Sequence, residues 1–136
     1  MKTKIQTAVE EFTSPSPMTA PITADLETLS GMMKEFGIRH IPIVDKNQIV
    51  GLVSDRDIKV ALGLNREIKK MIRAEDIMSM DPISVDSTAT LDEVAYVMSE
   101  NKIGSVLVND EAGELVGIFT STDALNALIE IVRSTK

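Results

Sequence analysis

The sequence predicts a mixed α/β fold of the α+β kind, made of two β-α-β-β-α repeats packed with pseudo-two-fold symmetry. Two observations carry that expectation. First, the chain is duplicated. At a constant offset of 65, Glu11–Asp45 matches Asp76–Asp110 at nine of 35 positions, among them Ser14/Ser79, Pro17/Pro82, Ala24/Ala89, Leu26/Leu91 and Ile38/Ile103. A one-residue slip in a polar turn (Asp110-Glu111-Ala112-Gly113 against Asp45-Lys46-Asn47) moves the offset to 66. The match then resumes through Val50/Val116, Gly51/Gly117, Ser54/Thr120 and Asp57/Asp123. Similarity that keeps register over this length marks a repeated structural unit. Second, the apolar runs of each copy are too short to enclose a core alone, so two copies packed sheet to sheet share one.

The elements follow in order. Residues 1–10 are a tether or a short helix, with Ile5 and Val9 one turn apart. Repeat 1 spans 11–65, a connector spans 66–75 and repeat 2 spans 76–133. In each repeat a Pro/Ser-rich entry (Ser14-Pro15-Ser16-Pro17; Met80-Asp81-Pro82) leads to a short extended piece, Met18–Ala20 or Ile83–Val85. Amphipathic helices come next, over Leu26–Phe36 and Leu91–Asn101. Leu26, Leu29, Met33 and Phe36 form the buried stripe of the first, capped by Asp25. Leu91, Val94, Ala95 and Met98 form that of the second, capped by Thr90. Two strands then flank a polar turn, Ile38–Val44 with Ile49–Val53 and Ile103–Val108 with Leu115–Phe119. A second helix closes each copy, Arg56–Leu64 and Asp123–Val132. In the connector, Ile68, Met71 and Ile72 are the residues that could dock a helical segment.

Composition bounds the function. The chain has 136 residues, 14 Lys+Arg against 21 Asp+Glu, one His and no Cys. Absence of cysteine excludes disulfides, thiol catalysis and thiolate metal sites, and a single His excludes a multi-histidine site within the chain. A formal charge of −7 argues against long nucleic acid, where affinity comes from cations neutralising phosphates. No apolar run reaches the roughly 18–20 residues of a membrane span, and the amino terminus lacks a signal-peptide core. The expectation is a cytoplasmic protein with no membrane partner.

Chemistry concentrates where the second hairpin strand ends: Gly51-Leu52-Val53-Ser54-Asp55-Arg56-Asp57 and Gly117-Ile118-Phe119-Thr120-Ser121-Thr122-Asp123. Both read Gly-apolar-apolar-Ser/Thr-x-x-Asp, a strand running into a helix start. Hydroxyls and free amides at a helix N-terminus suit phosphate, and a carboxylate nearby can accept both hydroxyls of a ribose. The same spacing also makes a capping box. Repetition does not choose between the two readings, because caps repeat as readily as sites.

The repeat length, the Ile-x-x-Ile-Pro-Ile-Val-Asp strand at Ile38–Asp45 and the paired motif endings resemble the CBS domain. The chain is similar to a tandem CBS pair, the Bateman module, over about residues 11–133. Its Ser54-Asp55-Arg56-Asp57-Ile58 string resembles short bacterial and archaeal CBS-pair proteins in particular. That resemblance implies two clefts for adenosine derivatives (AMP, ADP, ATP, NAD or S-adenosylmethionine), each drawing on both repeats. The first cleft would use His40, Leu52, Ser54, Arg56 and Asp57, with Ser84, Ala89 and Ile103 around the base. The second would use Ser105, Ile118, Thr120, Thr122 and Asp123, with Thr19, Ala24 and Ile38 around the base. Asp57 and Asp123 would grip ribose hydroxyls, Ser54 and Thr120 would meet phosphate, and the backbone at Ile38 or Ile103 would read the adenine edge.

The two clefts are unequal. The first is expected to have cations in reach, Arg56 with His40 and Arg39 as further candidates, while the matching positions of the second are Thr122, Ser105 and Gly104. A polyphosphate needs cations, so the Asp57 cleft is expected to take the charged nucleotide and the Asp123 cleft to bind weakly, to bind a less charged adenosine compound or to stay empty. If His40 meets phosphate, binding strengthens as pH falls through the imidazole range near 6.5. Asp55 beside Asp57 could hold Mg²⁺ with a nucleotide.

No nucleophile with a base, phosphate loop or catalytic carboxylate pair stands out, so no enzyme activity is expected. The resemblance implies a regulatory adenine-nucleotide sensor that biases a separate regulated protein. The alternative is an oligomerisation or scaffold module without ligand. The first helices of such modules pair two modules into a disc, making Met32 and Tyr96 candidates for a homodimer face.

Overall fold

The computed structural model describes residues 7–15 and 18–134. The Ser16-Pro17 part of the first entry and Ile5 lie outside those residues. A 3₁₀ turn at Val9–Phe12 precedes β1 (Ser14–Pro15), β2 (Ala20–Pro21), α1 (Leu26–Phe36), β3 (His40–Asp45) and β4 (Gln48–Ser54). There follow α2 (Asp55–Leu62), α3 (Arg66–Met71), α4 (Ala74–Ile77) and β5 (Ser79–Met80). The second copy supplies β6 (Ser84–Asp86), α5 (Leu91–Asn101), β7 (Ser105–Asn109), β8 (Leu115–Thr120) and α6 (Ser121–Ser134). The expected mixed α+β architecture is present.

The chain forms two compact units: a repeat-1 unit, Met18–Pro82, and a repeat-2 unit that joins Met1–Pro17 to Ile83–Lys136. Each holds a four-stranded sheet, in the order β2-β3-β4-β5 and β6-β7-β8-β1 respectively. In both, the short leading strand runs parallel to the first hairpin strand, Ala20 opposite Ile43 and Ser84 opposite Leu107. A parallel pair needs a crossover, which α1 and α5 provide. The fourth strand of each sheet comes from the lead-in of the other repeat. β1 pairs antiparallel with β8 (Ser14 opposite Ile118), and β5 with β4 (Ser79 opposite Leu52).

Local chemistry explains the helix ends. Asp25 caps α1 by accepting from the Thr28 amide at 2.8 Å. Gly37 ends α1 at φ 62°, the left-handed region that glycine enters without steric cost. The matching residue after α5 is Lys102, at φ 54°. Thr90 sits at the N-cap of α5 as expected, but its hydroxyl donates to Asp92 Oδ1 at 2.6 Å and leaves the helix amides uncapped by its side chain.

The core of the repeat-1 unit centres on Leu29, Ile41, Ile43, Val53 and Ala74, and that of the repeat-2 unit on Val9, Val94, Val106, Val108 and Phe119. Strand residues alternate little here because the first strand of each hairpin is covered on both faces. Two stripe residues differ from expectation: Phe36 is 43% exposed and Ala95 is exposed. Both stand at the edges of arcs whose centres, Leu29 and Val94, are fully buried. Met32 packs against the repeat-1 core, whereas Tyr96 is exposed.

The connector also docks differently from the expectation. Helix α3 buries none of its residues; Ile68 and Met71 are exposed. Attachment comes instead just after it. Ala74 is fully buried, and the amides of Ala74 and Glu75 donate to the carbonyls of Ala24 and Ile22 at 2.8 and 3.1 Å. An isolated bridge joins Asp25 to Arg73.

Candidate functional site

In the repeat-1 unit the β3–β4 register sets His40 opposite Ser54, where β4 turns into α2. The corner is closed by two reciprocal bonds. The Ser54 amide donates to Asp57 Oδ2 at 2.8 Å, and the Asp57 amide donates to Ser54 Oγ at 3.1 Å. The capping-box reading of the motif is therefore correct for this copy. Arg56 is exposed on the first turn of α2, Asp57 and His40 are half-buried, and Leu52 is buried beneath the corner. Asp55 makes an i,i+4 ion pair with Lys59 at 3.0 Å. Thr19 is exposed, Ile38 is half-buried and Ala24 belongs to the core cluster.

The repeat-2 unit builds the same corner with different occupancy. Ser105 lies opposite Thr120. Asp123 Oδ2 accepts from the Thr120 amide at 2.9 Å and the Thr120 hydroxyl at 3.0 Å, and the Asp123 amide donates to Thr120 Oγ1 at 3.2 Å. The second carboxylate oxygen is taken as well: Ser14 Oγ donates to Asp123 Oδ1 at 3.0 Å. Asp123 is 9% exposed. In the repeat-1 unit Ser79 occupies the matching register position, yet among the described residues no hydrogen bond joins it to Asp57. Thr122 and Ser84 are exposed, Ile118 is buried, and Ala89 and Ile103 are half-buried.

Ser14 is the residue that sequence reasoning did not single out at the site. Its identity with Ser79 across the repeat is visible in the sequence, but the distance to Asp123 depends on β1 joining β8. The motif glycines are explained by the same strands. A Cβ on Gly117 would run into the Ser14 carbonyl and the Thr13 side chain, while one on Gly51 would meet the Met78 side chain. Among the described residues no group of three or more acidic or His side chains is placed to hold a metal ion.

The profile of the CBS domain matches residues 9–63 and 74–130, one span per repeat. The chain belongs to the CBS domain family. A CBS domain-containing protein of Dictyostelium discoideum is 25% identical over 134 residues, covering 91% of this chain and 92% of its own length. The L-aspartate semialdehyde sulfurtransferase of Methanocaldococcus jannaschii is 36% identical over 124 residues. This CBS chain spans only 23% of that enzyme's length, and likewise 23% of an inosine-5'-monophosphate dehydrogenase of Korarchaeum cryptofilum at 32% identity. Among solved structures, the CBS pair of protein MJ0100 in complex with 5'-methylthioadenosine and S-adenosyl-L-methionine aligns at a TM-score of 0.76. It is 30% identical and covers 91% of this chain and 96% of that one. CBSX2 in complex with AMP aligns at 0.73 and 25% identity, covering 93% and 99%. Among the described residues no helix is long and apolar enough to cross a membrane.

Proposed function

We propose that this CBS pair is a non-catalytic regulatory module that binds an adenosine-type ligand and conveys its occupancy to a separate cytoplasmic protein. The observation that carries the reading is the Ser54–Asp57 corner. There one carboxylate oxygen closes the cap, while Oδ1 has no partner among the described residues, beside the exposed cation of Arg56. An adenine nucleotide offers a ribose diol to the first and phosphate to the second. Related CBS pairs are bound to AMP and to S-adenosyl-L-methionine with 5'-methylthioadenosine, which supports the ligand class.

In this reading His40, Leu52, Ser54, Arg56 and Asp57 make the primary site together with Ser84, Ala89 and Ile103. Thr19, Ala24, Ile38, Ser105, Ile118, Thr120, Thr122 and Asp123 make a weaker one. The Ser14–Asp123 bond supports the inequality, since a ribose hydroxyl must displace an existing donor. Mg²⁺, where it accompanies a nucleotide, would meet Asp55 after release from Lys59. The module acts as a homodimer.

A thermal-shift panel of AMP, ATP, NAD and S-adenosylmethionine tests the function. A ligand at 100 times its Kd adds about 2.7 kcal/mol to stability, a shift of several degrees for a chain of this size. No shift with any of the four at millimolar concentration would replace the sensor by the ligand-free scaffold.

A further inference from the structure

Gly31 and Tyr96 hold the same place in the two copies, since the offset of 65 that aligns α1 with α5 sets one against the other. They are opposite in shape. A Cβ on Gly31 would have nothing within 4 Å, although glycine is disfavoured inside a helix. Tyr96 stands out from its helix, 67% exposed. The closing helices differ in the same sense. At an offset of 66, Lys59, Leu62 and Gly63 of α2 match Leu125, Leu128 and Ile129 of α6, and all six are exposed. In each unit the two helices pack on a common core. At matching positions, then, the repeat-2 face carries large apolar side chains where the repeat-1 face is open.

Charge divides along the same line. Gly31 and Leu62 line a cavity of about 720 Å³ together with Lys34, Arg66, Lys69, Lys70 and Arg73, against Asp25 and Glu27 as its acids. Around Tyr96 the exposed charged side chains three or four residues away, hence on its own side of the helix, are Asp92, Glu93 and Glu100. Among the described residues none of Lys34, Arg66, Lys70, Asp92, Glu93 and Glu100 is in an ion pair. The whole units follow suit. The repeat-1 unit carries nine Lys/Arg against ten Asp/Glu, a net −1, and the repeat-2 unit five against eleven, a net −6.

We propose that two copies of the chain pair head to tail, the helix face of the repeat-2 unit in one copy seating on the helix face of the repeat-1 unit in the other. This rests on the homodimer reading above and supplies its orientation. Tyr96 enters the space over Gly31, an aromatic anchor in a pocket. Leu125 and Leu128 cover Leu62. Asp92, Glu93 and Glu100 come among Lys34, Arg66 and Lys70. Two-fold symmetry makes the contact twice. Pairing like with like fits less well. It sets the cations of one repeat-1 face against the same cations of the other, and carboxylates against carboxylates, which is costly. It also leaves open space opposite open space and tyrosine opposite tyrosine. The chain itself carries the complement of its cationic face, in shape as well as in charge.

Sedimentation equilibrium of the full chain tests this. Wild type should show a two-chain mass and a dissociation constant that rises with salt. Lys34→Glu/Arg66→Glu/Lys70→Glu should weaken pairing about tenfold or more, because it sets like charges face to face. Asp92→Lys/Glu93→Lys/Glu100→Lys should do the same. All six changes in one chain restore opposite charges and should return the constant to within about threefold of wild type. Like-with-like pairing predicts that neither single set weakens the dimer, since each only reverses charges that already face their own kind. Gly31→Gln, a better helix former, fills the space and should weaken pairing about tenfold or more, with helix content by circular dichroism unchanged. A wild-type chain that sediments as one copy at millimolar concentration overturns the homodimer reading and this orientation together. A dimer that neither charge set weakens, or that Gly31→Gln leaves intact, overturns the head-to-tail orientation alone.

Discussion

Ser14 donates its hydroxyl hydrogen to Asp123 Oδ1 at 3.0 Å, across 109 residues of chain. With Thr120 holding Oδ2, both oxygens of this carboxylate are engaged by the protein itself. Among the described residues Asp57, its repeat counterpart, is engaged through Oδ2 alone. The inequality of the two corners thus has two sources, the cation on Arg56 and the donor on Ser14.

That difference predicts the order of two substitutions. Asp57→Ala should weaken adenine-nucleotide binding roughly 10–100-fold, the worth of hydrogen bonds to a charged acceptor. Asp123→Ala should change it less than about threefold. Calorimetry on the two variants checks this, and the reverse order would reject the assignment of the primary site.

Ser14→Ala separates the donor from the missing cation. Losing a hydrogen bond to a carboxylate should cost about 1–2 kcal/mol in urea unfolding. It also frees Asp123 Oδ1, so a second, weaker adenosine-binding event should appear in the titration. An unchanged stoichiometry would mean that Ser14 is not what closes that corner.

The two motif glycines should differ in tolerance. Gly117→Ala places a methyl against the Ser14 backbone and should cost about 3 kcal/mol while unzipping β1 from β8. Gly51→Ala meets the flexible end of Met78 and should cost about 1 kcal/mol. Equal costs would show that the β1 backbone gives way as easily as a methionine side chain.

At the end of α5, Lys102 holds a left-handed conformation at φ 54° in the position where α1 has Gly37. Lys102→Gly should therefore stabilise the protein by about 0.5–1 kcal/mol. Loss of stability in thermal unfolding would mean that the lysine side chain contributes more than its backbone strain costs.

Asp25 should mark the acid limb of the stability curve. The Thr28 amide first, then the Thr28 side chain and the charge of Arg73, hold its carboxyl below the ordinary value of 3.8. A depressed carboxyl contributes stability that is complete above the unfolded value and lost as pH falls through the folded one. The stability difference between wild type and Asp25→Asn should thus be constant above about pH 5 and shrink below 3.8. A gap that persists unchanged to pH 2 would contradict this account.

The sequence by itself determined the repeat, the β-α-β-β-α order within each copy and the cap at Asp25, and it offered the Ser54 cap as one of two readings. These depend on periodicity, on spacing within one turn and on side chains a few residues apart, all of which are local. It also singled out the Ser54–Asp57 and Thr120–Asp123 corners, because a strand running into a capped helix is a local pattern too. Only the tertiary structure decided where β1 and β5 pair, that Ala74 rather than Ile68 or Met71 seats the connector, and that Ser14 reaches Asp123. Those outcomes turn on contacts between segments far apart in sequence, where close backbone approach at Gly117 or Ala74 outweighs local apolar pattern. Sequence identity of Ser14 with Ser79 and of Asp123 with Asp57 concealed a difference that one long-range hydrogen bond makes.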